Sequence, residues 1–338
     1  MPVPLSILDL AFVGRGETPH DALHGCVALA QRAEARGYRR VWYAEHHNMP
    51  MIASSAPAVL IAHVAAHTLT IRLGAGGVML PNHAPLTIAE QFGTLASLHP
   101  GRIDLGLGRA PGTDQGALRA LRRDPAAADT FPQDVQELQG YLSGRTRVPG
   151  VNATPGAGTH VPLYILGSSL FGAQLAALLG LPYGFASHFA PAALEEAIAL
   201  YRRTFRPSEV LERPYVIAGM NVIAADDAAD ARAQLLTVQR ARVGAILAGG
   251  RFLEDAEADA ILAAPQGRFL LDMMRYSAVG TPDTVATAIE RFAVHADADE
   301  VILAHAGPTL AQRLRSVDLV ADACLAEVPP AGRAGASA

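Results

Sequence analysis

Short runs of consecutive apolar residues alternate along this chain with longer segments in which apolar residues recur every three or four positions. The first pattern suits strands buried on both faces, the second helices with one buried face. Eight such runs stand at residues 5–9, 40–44, 71–74, 103–107, 162–166, 182–186, 215–223 and 300–304. A strand–helix rhythm repeated from end to end builds a parallel sheet, and eight units close it. The sequence therefore predicts an α/β fold, a (β/α)8 TIM barrel.

The helices carry their own punctuation. Thr18-Pro19 supplies an N-cap and a first-turn proline ahead of a stripe of Leu23, Val27, Ala30 and Ala33 that stops at Gly37. Thr281-Pro282-Asp283 does the same before Val285, Ile289 and Phe292, and Ser169 can cap a helix running to Leu179 before Gly180. Two stretches break the rhythm. Residues 144–159, rich in Gly, Pro and Thr, read as a loop before strand five. Residues 249–266 fall within a long insertion between strands seven and eight, where a barrel often carries a lid. One barrel domain over residues 1–328 and a disordered tail over 329–338 are expected.

Composition narrows the chemistry. The 338 residues fit one barrel of about 250 with added loops. Half are hydrophobic and 17% charged, and a net charge of -5 with scattered basic residues argues against nucleic acid as a partner. Cys26 and Cys324 are the only cysteines, so no disulfide framework is expected and a reducing, cytoplasmic setting is the simpler reading. Neither a leader pattern nor an apolar window of about 20 residues is present, so a soluble protein without membrane contact is expected. Every basic residue other than histidine is arginine. Without lysine, Schiff-base, pyridoxal phosphate and Walker-type chemistries drop out.

In a barrel, chemistry sits at the C-terminal strand ends. After strand two comes Glu45-His46-His47, where adjacent side chains point to opposite faces unless the chain has turned. Adjacent histidines make a poor metal pair, and His63 and His67 lack the intervening glutamate of a zinc helix, so no metal is expected. Those two read as packing histidines on an outer helix. Glycines 74, 76 and 77 mark either a strand kink or a place where a flat ligand approaches the backbone. Arg109, flanked by Gly108, suits a bidentate grip on a phosphate or carboxylate, or else a salt bridge. Gly167-Ser168-Ser169 opens into a helix whose first-turn N–H groups, near Phe171 and Gly172, make an anion seat or an ordinary cap.

Taken in order, four phrases resemble the bacterial luciferase-like flavin monooxygenase family: Ala44-Glu45-His46-His47-Asn48, Leu73 through Pro81, Pro100 through Arg109, and Val279 through Val285. The resemblance implies a barrel with flavin mononucleotide (FMN) at its mouth. It implies a non-prolyl cis peptide at Gly76-Gly77, phosphate contacts at Arg109, Ser168, Ser169 and Gly172, and a site histidine at His46. Ser168 stands where the luciferase proper has a carboxylate and Gly172 where it has a hydroxyl residue, so backbone N–H groups would carry more of the grip. Light emission is not implied. The implied activity is oxygenation of a small organic substrate with reduced FMN from a separate reductase, in a cytoplasmic homodimer. Relatives that use deazaflavin for hydride transfer, and a non-catalytic flavin-binding protein, are the alternatives.

Overall fold

A computed structural model describes residues 3–109 and 115–325. Its nine strands are β1 (Leu5–Asp9), β2 (Arg40–Tyr43), β3 (Arg72–Met79), β4 (Ile103–Gly108), β5 (Leu163–Gly167), β6 (Tyr183–Phe185), β7 (Val216–Ala224), β8 (Ser277–Gly280) and β9 (Glu300–His305). The sheet order is β6-β5-β4-β3-β2-β1-β9-β7-β8, and β6 also pairs with β7, so every strand but β8 belongs to a closed parallel barrel. All eight runs seen in the sequence are barrel strands, the last of them being β9. Strand β8 is additional. It pairs only with the end of β7 that outruns β6, Asn221 opposite Ser277 and Ala224 opposite Gly280.

The helices are α1 (Pro19–Ala35), α2 (Pro57–Ala65), α3 (Pro85–Leu98), α4 (Gln115–Ala120), α5 (Phe131–Ser143) and α6 (Leu170–Leu179). They continue with α7 (Leu194–Thr204), α8 (Ala228–Leu247), α9 (Asp255–Ala263), α10 (Pro265–Met273), α11 (Pro282–His295) and α12 (Leu310–Cys324). Among the described residues none is long and apolar enough to cross a membrane.

Strand alternation sorts the barrel into two cores. Outward residues such as Ile7, Val41, Leu73 and Leu105 are buried against the helices with Phe92, Leu138 and Val317. Inward residues Leu8, Trp42, Tyr164, Ile217 and Ile302 form a second, separate core inside the barrel. At the N-terminal end the inward positions turn polar. Arg40 pairs with Asp104 at 2.7 Å and with Glu300 at 2.9 Å, and donates to the Tyr164 hydroxyl at 2.7 Å. Ser6 donates to Glu300, Trp42 Nε1 to Asp104, and Arg72 pairs with Asp104. Burial alone would lower the Arg40 pKa, but Glu300 and Asp104 outweigh it and hold the guanidinium charged.

Several local expectations need adjusting. The long loop over residues 144–159 is present, but most of 249–266 is helical, lying in α9, the start of α10 and the turn before them. Thr18 caps α1 through a capping box with Asp21, yet the buried face centres on Ala22, Cys26, Leu29 and Ala33, leaving Leu23 and Val27 at its margin. Ser169 is the N-cap of α6, but its hydroxyl makes no capping bond. His63 lies on α2 while His67 lies beyond its end; both are exposed rather than packed into the core, with ring centroids 4.8 Å apart. The expected tail lies outside the described residues.

Candidate active site

The C-terminal mouth of the barrel is organised by one carboxylate. Strand β2 ends at Tyr43, so the chain has already turned when it reaches Glu45, which is fully buried. Its Oε1 accepts from the Nε2 atoms of His47 and His83, each at 2.8 Å, and from Asn82 Nδ2 at 3.3 Å. Its Oε2 accepts from the Met79 N–H at 3.0 Å. Burial pushes this carboxyl up, but His83, His47 and the Met79 N–H together hold it below the usual carboxylate range. Glu45 thereby ties the segment after β2 to the end of β3. Among the described residues no three His, Cys, Asp or Glu side chains are arranged to hold a metal.

That turn also separates the two adjacent histidines. His47 faces Glu45, whereas His46 is half-buried, its N–H donating to the Ser54 carbonyl at 3.1 Å and its Nδ1 buried without a partner. Burial holds its pKa below the ordinary 6.5 despite Glu45 nearby, so the ring is neutral at neutral pH.

On the neighbouring strand, β3 contains a cis peptide at Gly76-Gly77 where its register with β4 shifts between Ala75 and Val78. A Cβ on Gly76 would lie 2.9 Å from both Leu8 and Trp42, and one on Gly77 2.7 Å from Leu166 and 2.8 Å from the Gly106 carbonyl. The two glycines are therefore required by crowding inside the barrel, quite apart from any ligand on the other side.

The two anion-binding candidates come together. Arg109, exposed at the end of β4, lays its guanidinium 4.1 Å from the centre of the Phe171 ring in the first turn of α6. Gly172 is buried in that same turn. A Cβ there would approach Tyr183 to 3.2 Å, and the Tyr183 hydroxyl donates to the Ser169 carbonyl at 3.1 Å. With no side chain capping α6, its first N–H groups, the Ser168 and Ser169 hydroxyls and a guanidinium share one place. That is a donor set suited to a phosphate monoester. The residues after Arg109, 110–114, lie outside the described part.

The insertion lies over this mouth. Arg15, after β1, donates to the Leu253 carbonyl at 2.6 Å and stacks on Phe252, and Pro50, after β2, abuts Gly250.

Residues 3–299 match the family model described as luciferase-like monooxygenase. The chain belongs to the luciferase-like monooxygenase family. It is 54% identical over 242 residues to a luciferase-like monooxygenase of Escherichia coli K12, covering 71% of this chain and 72% of that one. It is 42% identical over 191 residues to the N-acetyl-S-alkylcysteine monooxygenase of Bacillus subtilis, covering 54% and 57%. The crystal structure of apo-MsnO8 superposes with a TM-score of 0.86 at 34% identity, covering 95% of this chain and 98% of that one. These likenesses support an oxidoreductase of the monooxygenase type acting on a small molecule.

Sequence reasoning missed part of the mouth. His83 follows β3 and His188 follows β6, and the rule that directed attention to strand ends could have found both. The anchoring role of Glu45 had no signal, because it depends on three donors from the far end of β3.

Proposed function

We propose that this luciferase-like family member is an FMN-dependent monooxygenase that takes reduced FMN from a separate reductase and transfers one atom of molecular oxygen to a small organic substrate. The observation that carries the reading is the convergence of Arg109 with the uncapped N-terminus of α6, at the same barrel mouth as a neutral, unpartnered His46. Arg109, Ser168, Ser169 and the first-turn N–H groups through Gly172 would hold the cofactor phosphate. Gly76 and Gly77 would meet its ring through backbone alone. When bound, reduced FMN supplies the electrons that activate oxygen.

The remaining work falls to the chain. His46, kept neutral by burial, would accept or return a proton at Nδ1. Glu45 would fix the segment carrying His46 by its bonds to His47, His83 and Met79. The turn around Leu253, fastened to Arg15, would exclude water from the mouth. Homodimerisation through α2, where Val59 is 72% exposed, completes the proposal.

The test is binding followed by turnover. FMN should bind at least about tenfold more tightly than riboflavin, because charge-assisted bonds to phosphate are lost with riboflavin. Reduced FMN, a suitable thioether and labelled oxygen should give a labelled product. Equal affinity for the two flavins overturns the phosphate seat, and turnover that proceeds without oxygen points to deazaflavin hydride transfer instead.

A further inference from the structure

The turn after β6 places an imidazole on the inner wall of the barrel. Ile217 of β7 faces the inner core, whereas Ala218 and Met220 face the helices, so alternation turns Gly219 and Asn221 inward as well. His188 sits over Gly219, where a Cβ would fall 2.5 Å from its Nδ1. Two bonds fasten the turn to that strand. Asn221 Nδ2 donates to the His188 carbonyl at 2.6 Å, and the Ser187 hydroxyl donates to the Gly219 carbonyl at 2.7 Å. In the closed ring of eight strands, β7 stands four places from β3 in either direction. His188 therefore lies on the wall opposite the Gly76-Gly77 peptide. Both adjoin the inner core, Gly76 through Leu8 and Trp42, and Gly219 as the next inward position after Ile217.

The two nitrogens of that ring are not alike. Nδ1 is buried without a partner among the described residues, and the Cα–H of Gly219 that faces it offers no acceptor. A buried N–H without an acceptor is costlier than a lone pair left alone, so the proton of the neutral ring belongs on Nε2. That nitrogen is not buried, and it has no hydrogen bond among the described residues. Burial also lowers the His188 pKa from 6.5 to about 3, so the ring carries a single proton. His188 thus presents one fixed, uncharged donor to the mouth. Its surroundings are apolar: Ile217 lies on the same wall, and the Phe189 ring stands edge-on at 5.1 Å and is 43% exposed. A lone neutral donor between apolar walls suits an uncharged oxygen acceptor on an organic molecule.

We infer that His188 binds the substrate, donating from Nε2 to an uncharged carbonyl oxygen while Phe189 packs against the apolar part. The inference rests on the flavin reading only for the identity of this ligand. With the cofactor phosphate at Arg109 and α6 and its ring at Gly76-Gly77, the opposite wall is left to the substrate.

The experiment is calorimetric titration of the full chain, with and without FMN, using acetophenone and cyclohexanone. Each is paired with the alkene in which a methylene group replaces the oxygen, isopropenylbenzene and methylenecyclohexane. At least one ketone should bind, and His188→Leu should lower its affinity relative to the matching alkene by about fivefold, the scale of one neutral hydrogen bond. His188→Gln, which keeps an N–H donor, should hold that ratio within about twofold of the parent. Nitrogen NMR of histidine-labelled protein, with the His188 signals assigned by their loss in His188→Gln, should show a protonated Nε2 and a bare Nδ1. The inference is overturned if no ketone binds, if His188→Leu keeps the ratio, or if the proton sits on Nδ1. A ratio lost equally in His188→Gln makes the ring a packing group, and an unchanged ratio with FMN weakened about fivefold assigns the donor to the flavin; either result also overturns it. Failure of FMN to bind overturns the flavin reading alone, because the ratio is read on the flavin-free protein as well.

Discussion

The two ends of the barrel use the same kinds of residue to opposite effect. At the N-terminal end Arg40 lies between Asp104, Glu300 and the Tyr164 hydroxyl, so its charge faces counter-charges inside the sheet. At the C-terminal end His46 and His188 each bury an Nδ1 with no partner among the described residues. Buried polar groups are normally satisfied, so two such imidazole nitrogens at the mouth suit a place where a ligand would bind. The closed end stabilises the barrel; the open end is held ready by Glu45, the one group there with all its partners.

The largest effect should come from the closed end. Arg40→Met should destabilise the fold by about 3–5 kcal/mol, because it removes the buried cation that Asp104 and Glu300 share and leaves them only the more exposed Arg72 and Arg39. Denaturant unfolding reads this, and FMN affinity of the folded fraction should not change. At the open end, His46→Ala should leave FMN affinity within a few-fold while cutting turnover by about 100-fold, the scale for losing a positioned acid–base group. A variant with normal turnover but lowered stability would make His46 a packing residue. Arg109→Ala should weaken FMN by about tenfold and leave riboflavin unaffected, with stability within about 0.5 kcal/mol, since the side chain is exposed.

A pH slope offers the remaining test. Burial, with the nearby charges of Arg242 and His46, lowers the His188 pKa from 6.5 to about 3, and burial does the same to His305. The folded protein keeps these rings neutral, while the unfolded chain protonates them below about 6.5. Their contribution is therefore complete above that pH and is lost as pH falls toward 3, by up to about 1.4 kcal/mol per pH unit for each ring. His188→Leu should reduce the protons taken up on unfolding near pH 5 by about one, measured from unfolding free energies across that range. An unchanged slope would mean that His188 is solvated at the mouth after all.

The barrel was legible because its strands are apolar on both faces, so each run stood out whatever its register. Strand β8 was not, being four residues long and preceded by a helix, and Val279-Gly280 looked only like the approach to the Thr281 cap. Arg109 and α6 were legible as separate anion binders from glycine and hydroxyl placement, and the fold then put Arg109 on Phe171. The Ser169 hydroxyl was read as a cap because local sequence cannot show that a hydroxyl is left free.

Strand β8 makes the insertion a cassette with a fixed seam. The insertion that leaves β7 at Ala224 is stitched back to the barrel by Ser277–Gly280, which docks on the overhanging edge of β7. The same strand β7 carries Asn221 and Gly219, which hold and admit His188, so the seam and the His188 side of the mouth share one rail. Exchanging the cassette between relatives would change which molecules the mouth admits while leaving the rail, the phosphate seat and the closed end of the barrel untouched.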